Sequence, residues 1–480
     1  MDTNYTHEMM SPFREHTTDL ATNPPQTVAA SAERLRRLLV SGTFGLADLQ
    51  REPRRFFDAH RHLSAYALDA GPGFGIRMTV QYNLFAGTVL ALGNAKQRAR
   101  LDAWQRDGTL GCFALTEAFA GVHSGLVVHT TATWDQDTGG FVLHTPNDGA
   151  VKNWISQGTV AEWCVLVATL VDGDGVARGP HGFLVRLRRP DGTLASSRIT
   201  IASMPMKSVG RDLDNARLTF DRALLERDAL LDAHAHVTAT GKYVTTRPGV
   251  RPLEIMAQRL HTGRAVIATS ALVFAQTLFA RTKAYLDAQT CWSPAGEHPL
   301  SALPQLASLY ADATTTLGQR LAQMAALEHE MVPHLRRNAL LPKGIAAAVA
   351  AGKVLCIEES IDLCHRLQQE VGSYALMVGT GFEHLGYLQC CKFAEGDSRV
   401  LMQKLARDRV RDYLRGEDTR EDEDTTEEER LCDELAHHHL AHLGTTTATS
   451  TTTATAREDA WRLPYELATR VGQRLLASRL

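Results

Sequence analysis

The spacing of apolar positions changes twice along this chain. From about Ala29 to Arg106 they recur three and four residues apart. "SAERLRRLLVSG" shows the pattern and ends on a glycine stop, and "RMTVQYNLFAGTVLALGNAKQRARLDAW" continues it. Near Leu110 the runs shorten and become rich in β-branched residues: "VVHTTATWD", "GGFVLHT", "WCVLVATLV", "HGFLVRLRR" and "ARLTF". The turn signals "DTGG", "VDGDG" and "RPDG" separate them. After Arg251 the helical period returns in "QRLHTGRAVIATSALVFAQTLFARTKAYL", then in "SALPQLASLYADATTTLGQRLAQMAALEHEM" and "KGIAAAVAAGKVLCIEESIDLCHRLQQEVG". Alanine-rich helices of this length predict a bundle. The expected fold is α+β: an N-terminal helical domain over 1–109, a central antiparallel, barrel-like β domain over 110–235, and a C-terminal helical bundle over 251–415.

The remainder, 416–480, changes character. "RGEDTREDEDTTEEER" is an acidic run expected to be solvated, and "GTTTATSTTTATA" reads as a disordered linker. "AWRLPYELATRVGQRLLASRL" predicts a short amphipathic helix. It ends on Ser478-Arg479-Leu480, a variant of the Ser-Lys-Leu peroxisomal address. The 480 residues are 44% hydrophobic and 22% charged with a formal net charge of -3, so nothing global favours nucleic acid. No run of about 18 apolar residues predicts a membrane span, and the polar N-terminus lacks a signal-peptide core. The eight cysteines form no Cys-x-x-Cys pair and read as reduced thiols. His438 and His442 share a helical face, but no third ligand accompanies them, so no metal site is expected.

Three stretches hold candidate chemistry. "TEAFAGVHSG" is a small-residue loop of the kind that exposes backbone N–H groups to a ligand. "KNWISQG" carries an aromatic that also suits a core. In "CCKFAEGDSRVLMQK", Glu395 reads locally as a carboxylate in the first turn of a helix, where it complements the macrodipole. Asp397-Ser398 suits a cap for that helix. From local sequence alone the structural reading of Glu395 is the stronger one.

Together these stretches resemble the acyl-CoA oxidase and acyl-CoA dehydrogenase superfamily, closest to the oxidase branch, from about Gly71 to Asp412. The resemblance implies an FAD-dependent α,β-dehydrogenation of acyl-CoA to trans-2-enoyl-CoA. Glu395 would be the catalytic base. Thr116, Gly121, Ser124, Trp154 and Ser156 would contact the flavin. Gln369 and Gly372 would reach the FAD of a second subunit, which implies a homodimer or homotetramer. Arg264 and Gly396 would lie at the substrate. The base needs a dry site that raises its pKa, and the thioester oxygen needs preorganised donors. In the family those donors are an FAD ribityl hydroxyl and the glutamate's own N–H.

Several positions depart from the pattern. Phe119 replaces the loop's first glycine, and Val122 stands where a hydroxyl is usual. Gln289 replaces a phosphate-binding arginine, with Lys283 the nearest cation. Ser373 replaces a second glycine. Ser156 stands where oxidases tend to have glycine, which leaves less room for O2. The leading expectation is a peroxisomal acyl-CoA oxidase of fatty-acid β-oxidation that gives H2O2 and is carried by an import receptor. The alternatives are a dehydrogenase serving an electron-transfer flavoprotein, a flavin-binding relative without turnover, and a flavin hydroxylase, against which a retained Glu395 speaks.

Overall fold

A computed structural model describes residues 13–15, 17–20, 22–121, 128–250, 252–294, 296–416, 427–435 and 454–479. The expected Ser124 contact, the Val122 departure, the His438 and His442 pair, most of the acidic run and the threonine-rich stretch lie outside these residues, as does Leu480. The element order is helices, strands, helices.

The N-terminal helices start and stop on local signals. In Val28–Ser41, Thr27 accepts a hydrogen bond from the Ala30 N–H, and Gly42 closes the end at φ 67°. In Ala95–Asp107, Asn94 and Gln97 form a reciprocal capping box. Between these helices, Val80–Ala86 winds as a π-helix.

The middle of the chain folds into two main sheets, followed by a two-stranded ribbon of Ala235–Val237 and Tyr243–Thr245. The larger runs β1 (Gly111–Ala114), β5 (Trp163–Val171), β2 (Thr131–Asp135), β3 (Gly140–His144) and β9 (Ala223–Leu225), with β6 (Ala177–Arg186) on β5. The smaller runs β4 (Lys152–Ser156), β8 (Asn215–Phe220) and β7 (Ile199–Ser203). Most pairs are antiparallel, as the hairpin signals predict. The exceptions are β1 and β2, which lie parallel to successive halves of β5. Neither joins β5 through a tight turn, so nothing local forces an antiparallel pairing.

A buried polar knot joins this region to the N-terminal helices. Arg77 has no exposed surface. Its guanidinium donates to Ser31, Gln157 and the Asp212 carbonyl and pairs with Asp214 at 3.2 Å. Gly73 lies so close to Asp212 that an added side-chain carbon would stand 1.8 Å from its carboxyl.

The C-terminal bundle is built on Pro252–Ala288, Pro304–Arg336 and Lys343–Val371. Ala348 to Gly352 are buried and let neighbours approach closely: Gly352 packs on the Met324 sulfur. The first helix is long and apolar enough over Leu253–Ala288 to cross a membrane, but 78% of its apolar 18-residue window is buried inside the protein. Two further helices, Gly386–Phe393 and Ser398–Leu414, follow.

The tail joins this bundle. Helix Ala454–Ala477 packs on Lys343–Val371 and Ser398–Leu414, burying Leu463, Leu467, Val471 and Leu476. The acidic run, expected to be solvated, is partly interior. Glu428 is 1% exposed and takes Arg409 at 3.0 Å and Arg474 at 2.8 Å. Two arginines from separate helices offset one buried carboxylate, which composition alone does not reveal. All eight cysteines are free thiols.

Candidate active site

Glu395 is not in the first turn of a helix. Asp397 is the cap of Ser398–Leu414, its carboxylate accepting the Arg399 N–H at 2.8 Å, and Glu395 lies two residues outside. It sits in the break after Gly386–Phe393 with φ at 56°, followed by Gly396 at 96°. A left-handed non-glycine residue costs about 1–2 kcal/mol, so the surrounding contacts must impose it.

Those contacts come from two helices. From Pro252–Ala288, the Arg264 Nε donates to the Glu395 carbonyl at 2.8 Å. Gly263 lies under the carboxyl group: a side-chain carbon there would stand 2.3 Å from its carbon and 2.5 and 2.7 Å from its two oxygens. From Lys343–Val371, the Lys353 ammonium donates to the carbonyls of Lys392 and Gly396 (2.9 Å to the latter) and to the Ser398 hydroxyl at 3.0 Å. Lys353 has no exposed surface. It ties both sides of the break together.

Burial sets the electrostatics. Glu395 as a residue is only partly buried, but its Oε2 is shut off from solvent and has no hydrogen-bond partner among the described residues. Desolvation pushes its pKa up to about 8, against the opposing pull of Arg264 and Lys353. Burial likewise brings Lys353 down to about 7 and Arg264 to about 10. Lys353 meets three acceptors, and only the ammonium form supplies three donors.

A second group of candidates lies on the sheet. Trp154 is 56% exposed and left-handed at φ 60°. Its carbonyl and the Ser156 hydroxyl both accept from the Asn215 amide, at 3.2 and 3.1 Å. Lys207 holds Asn215 in turn, donating to its amide oxygen and to the Leu213 carbonyl. Thr116 is exposed, its carbonyl fixed by the Asn153 N–H at 2.9 Å. Beneath them Glu117 and Lys152 form a fully buried ion pair at 2.8 Å, and Glu117 also accepts the N–H groups of His129 and Thr130. The glutamate of the Thr-Glu pair thus braces the loop and leaves Thr116 facing outward. Phe119 lays its ring on Gly149. Gly121 is exposed at the edge of the described loop.

The two groups meet through Gly386–Phe393. Gly386 packs on Val209, 3.2 Å from where its side chain would begin, and the Lys207 charge acts on the Cys390 thiol, five residues before Glu395. Gln369 and Gly372 lie elsewhere. Both are exposed at the end of Lys343–Val371, and Gln369 is about 24 Å along that helix from Lys353. They do not join the Glu395 site within one chain. Gln289 is exposed, and Lys283 is engaged with Asp287 at 2.8 Å. No cluster of metal-binding side chains occurs among the described residues.

Sequence reasoning missed Lys353, Gly263, Asn215 and the Glu117–Lys152 pair. Lys353 left one visible signal, a lone cation in the apolar run "AAVAAGKVLCI".

With this geometry in hand, comparison with known proteins gives a class. No family profile matches the chain. A putative peroxisomal acyl-coenzyme A oxidase 3.2 of Arabidopsis thaliana is 26% identical over 345 residues, covering 70% of this chain and 50% of the relative. The chain thus spans about half the length of the curated relatives it matches. Among solved structures, acyl-CoA oxidase-1 of Caenorhabditis elegans, complexed with FAD and ATP, aligns over 99% of this chain and 75% of its own at TM-score 0.76 and 18% identity. Butyryl-CoA dehydrogenase of Megasphaera elsdenii aligns over 84% of this chain and 98% of its own at TM-score 0.64 and 16% identity. The fold is that of the acyl-CoA oxidase and acyl-CoA dehydrogenase superfamily, and the resemblance read from the sequence matches these relatives. The relatives found by sequence are named oxidases, several of them peroxisomal.

Proposed function

We propose that this chain is an FAD-dependent acyl-CoA oxidase, forming trans-2-enoyl-CoA and H2O2 from acyl-CoA and O2. The observation that carries the reading is the Glu395 carboxyl: dry, unpartnered at Oε2, and raised to about 8. A carboxylate in that setting takes up a weakly acidic carbon-bound proton far better than a solvated one.

The residues fit a flavin. An exposed indole beside the outward hydroxyl-bearing Thr116 and Ser156, on a floor locked by Asn215 and the Glu117–Lys152 pair, offers a flat apolar surface with polar contacts at its rim. Thr116, Trp154 and Ser156 would hold the ring. When bound, FAD supplies the acceptor for the hydride that leaves the substrate β-carbon and returns the two electrons to O2. Glu395 takes the α-proton at its carboxylate. Arg264 and Lys353 fix the Glu395-Gly396 turn, and Gly263 leaves the carboxyl its space.

The test is to mix purified holoenzyme with acyl-CoA in air and measure peroxide. Turnover only with an artificial dye would contradict the oxidase reading. That outcome would favour the second reading, a dehydrogenase serving an electron-transfer flavoprotein, which Ser156 supports because its hydroxyl occupies space beside the proposed ring position.

The same reading includes a homodimer in which Gln369 and Gly372 reach the partner's flavin. Leu376, Met377 and Val378, four to six residues beyond Gly372, are 81%, 62% and 91% exposed, an apolar strip that suits a subunit contact. Sedimentation of the holoenzyme as a monomer would contradict it. Peroxisomal import through Ser478-Arg479-Leu480 also belongs to the proposal. Arg479 pairs with Glu330 at 3.1 Å, so binding an import receptor requires that contact to open. Cytosolic retention of the full chain in cells would overturn the import proposal.

A further inference from the structure

Among the described residues, the other buried cations have partners. Arg77 pairs with Asp214, Lys152 with Glu117, and Arg409 with Glu428. Lys353 has three acceptors and Arg264 the Glu395 carbonyl. Arg259 is different. It is 2% exposed, its Nε is sealed from solvent without a hydrogen-bond partner, and no carboxylate among the described residues acts on its charge. Burial alone lowers its pKa to about 10, with no carboxylate to counter it. An uncompensated interior charge is among the costliest features a fold can carry.

Its place in the molecule suggests what the charge is for. Arg259 lies one turn before Gly263 on the same helix, so about 6 Å along the axis separates it from the residue beneath the Glu395 carboxyl. It runs against the N-terminal helices, its Cδ 3.0 Å from where a side chain on Gly87 would begin. There the Asn83 amide donates to the Arg259 carbonyl at 2.8 Å, which leaves the Asn83 Oδ1 buried without a partner. The Thr88 hydroxyl is buried and unpartnered as well. Asn83 belongs to the π-helical stretch Val80–Ala86, and such stretches recur at functional sites. A cation thus lies one helical turn from the residue beneath the proposed base, and the segment packed on it carries two buried polar atoms without partners, the Asn83 Oδ1 and the Thr88 hydroxyl; a purely hydrocarbon acyl chain would leave them all unpaired.

We propose that Arg259 docks a carboxylate carried on the substrate's acyl chain, so that the preferred substrates are coenzyme A monothioesters of dicarboxylic acids. The guanidinium suits this task because it meets a carboxylate through two parallel hydrogen bonds. Asn83 and Thr88 complete a polar end to the acyl site. The inference rests on the acyl-CoA reading above.

The experiment compares matched pairs on the holoenzyme: adipyl- with hexanoyl-CoA, suberyl- with octanoyl-CoA, and sebacyl- with decanoyl-CoA. The rate of flavin bleaching without oxygen is followed for wild type, Arg259→Met and Arg259→Lys. Wild type is expected to favour the dicarboxylic member of at least one pair by tenfold or more, about the scale on which a buried polar site rejects a ligand that leaves it unpaired. Arg259→Met should abolish or invert that preference, and Arg259→Lys should reduce it. Arg259→Met should also raise the thermal midpoint, because it removes an unpaired buried charge, whereas a structural arginine would lower it. Wild-type preference for the uncharged member of every pair overturns the proposal, as does an Arg259→Met protein that keeps the wild-type preference or melts lower. Bleaching by no acyl-CoA at all, charged or uncharged, overturns the acyl-CoA reading itself and this inference with it.

Discussion

Glu395 combines a left-handed backbone with a carboxyl held near pKa 8. Both features are costly, and both follow from where Arg264, Gly263 and Lys353 hold it. The groups facing the carboxyl are Arg264, with His261 beside it, and Lys353. Cys391, Asp397 and Lys404 act through these neighbours. A base must be ionised to work, so anaerobic flavin reduction is expected to rise with pH through about 8; a midpoint near the ordinary glutamate value would contradict the burial argument. Stability follows with the opposite sign. The folded pKa lies above the unfolded value of 4.5, so the stability this group contributes is lost as pH rises toward about 8. Calorimetry should therefore find Glu395→Gln gaining on wild type across that window. Lys353→Met strips two carbonyls and a hydroxyl of their donor, at a cost of about 1–3 kcal/mol per buried acceptor left unsatisfied. Chemical denaturation should show that loss, and the surviving protein should reduce flavin more slowly.

At the scale of elements, the long helix Pro252–Ala288 and the break before Ser398 form one device. Gly263→Ala separates helix stability from function. Alanine favours a helix over glycine by about 1 kcal/mol, yet its methyl group would collide with the Glu395 carboxyl. The expected protein is folded, binds flavin, and is at least tenfold slower in reduction, read by stopped-flow absorbance; wild-type speed would remove Gly263 from the account. The same scale shows what the sequence made legible. The hairpin of β2 and β3 was readable because alternation and "DTGG" agree, and the three bundle helices because their period persists for about thirty residues. The strands β1, β4 and β9 were not, since three to five residues carry little period, and the start of β4 is fixed by the buried Glu117–Lys152 pair, a long-range contact. Glu395 read locally as a helix-start carboxylate because Asp397, two residues on, is the real cap, and no local pattern reveals the left-handed turn between them. The bundle contact through Lys353 is a long-range effect that only packing discloses.

Across the whole molecule, the chain spans about half of its curated relatives, and its last described helix completes the bundle rather than standing apart. Glu428 clamps that helix through Arg474 and the helix Ser398–Leu414 through Arg409. Glu428→Ala takes this carboxylate from the buried Arg409 and the partly buried Arg474, so a loss of about 3–5 kcal/mol is expected on unfolding in denaturant; a change within experimental error would mean that the tail packs without the clamp. The proposed reaction depends on Glu395 acting on an acyl thioester beside a flavin. The direct measurement is flavin bleaching by acyl-CoA without oxygen, wild type against Glu395→Gln, each with its FAD content determined. The prediction is equal FAD content, rapid bleaching of wild type, and a rate for the variant lower by about 10²–10⁴-fold. Equal bleaching rates in the two proteins would contradict it.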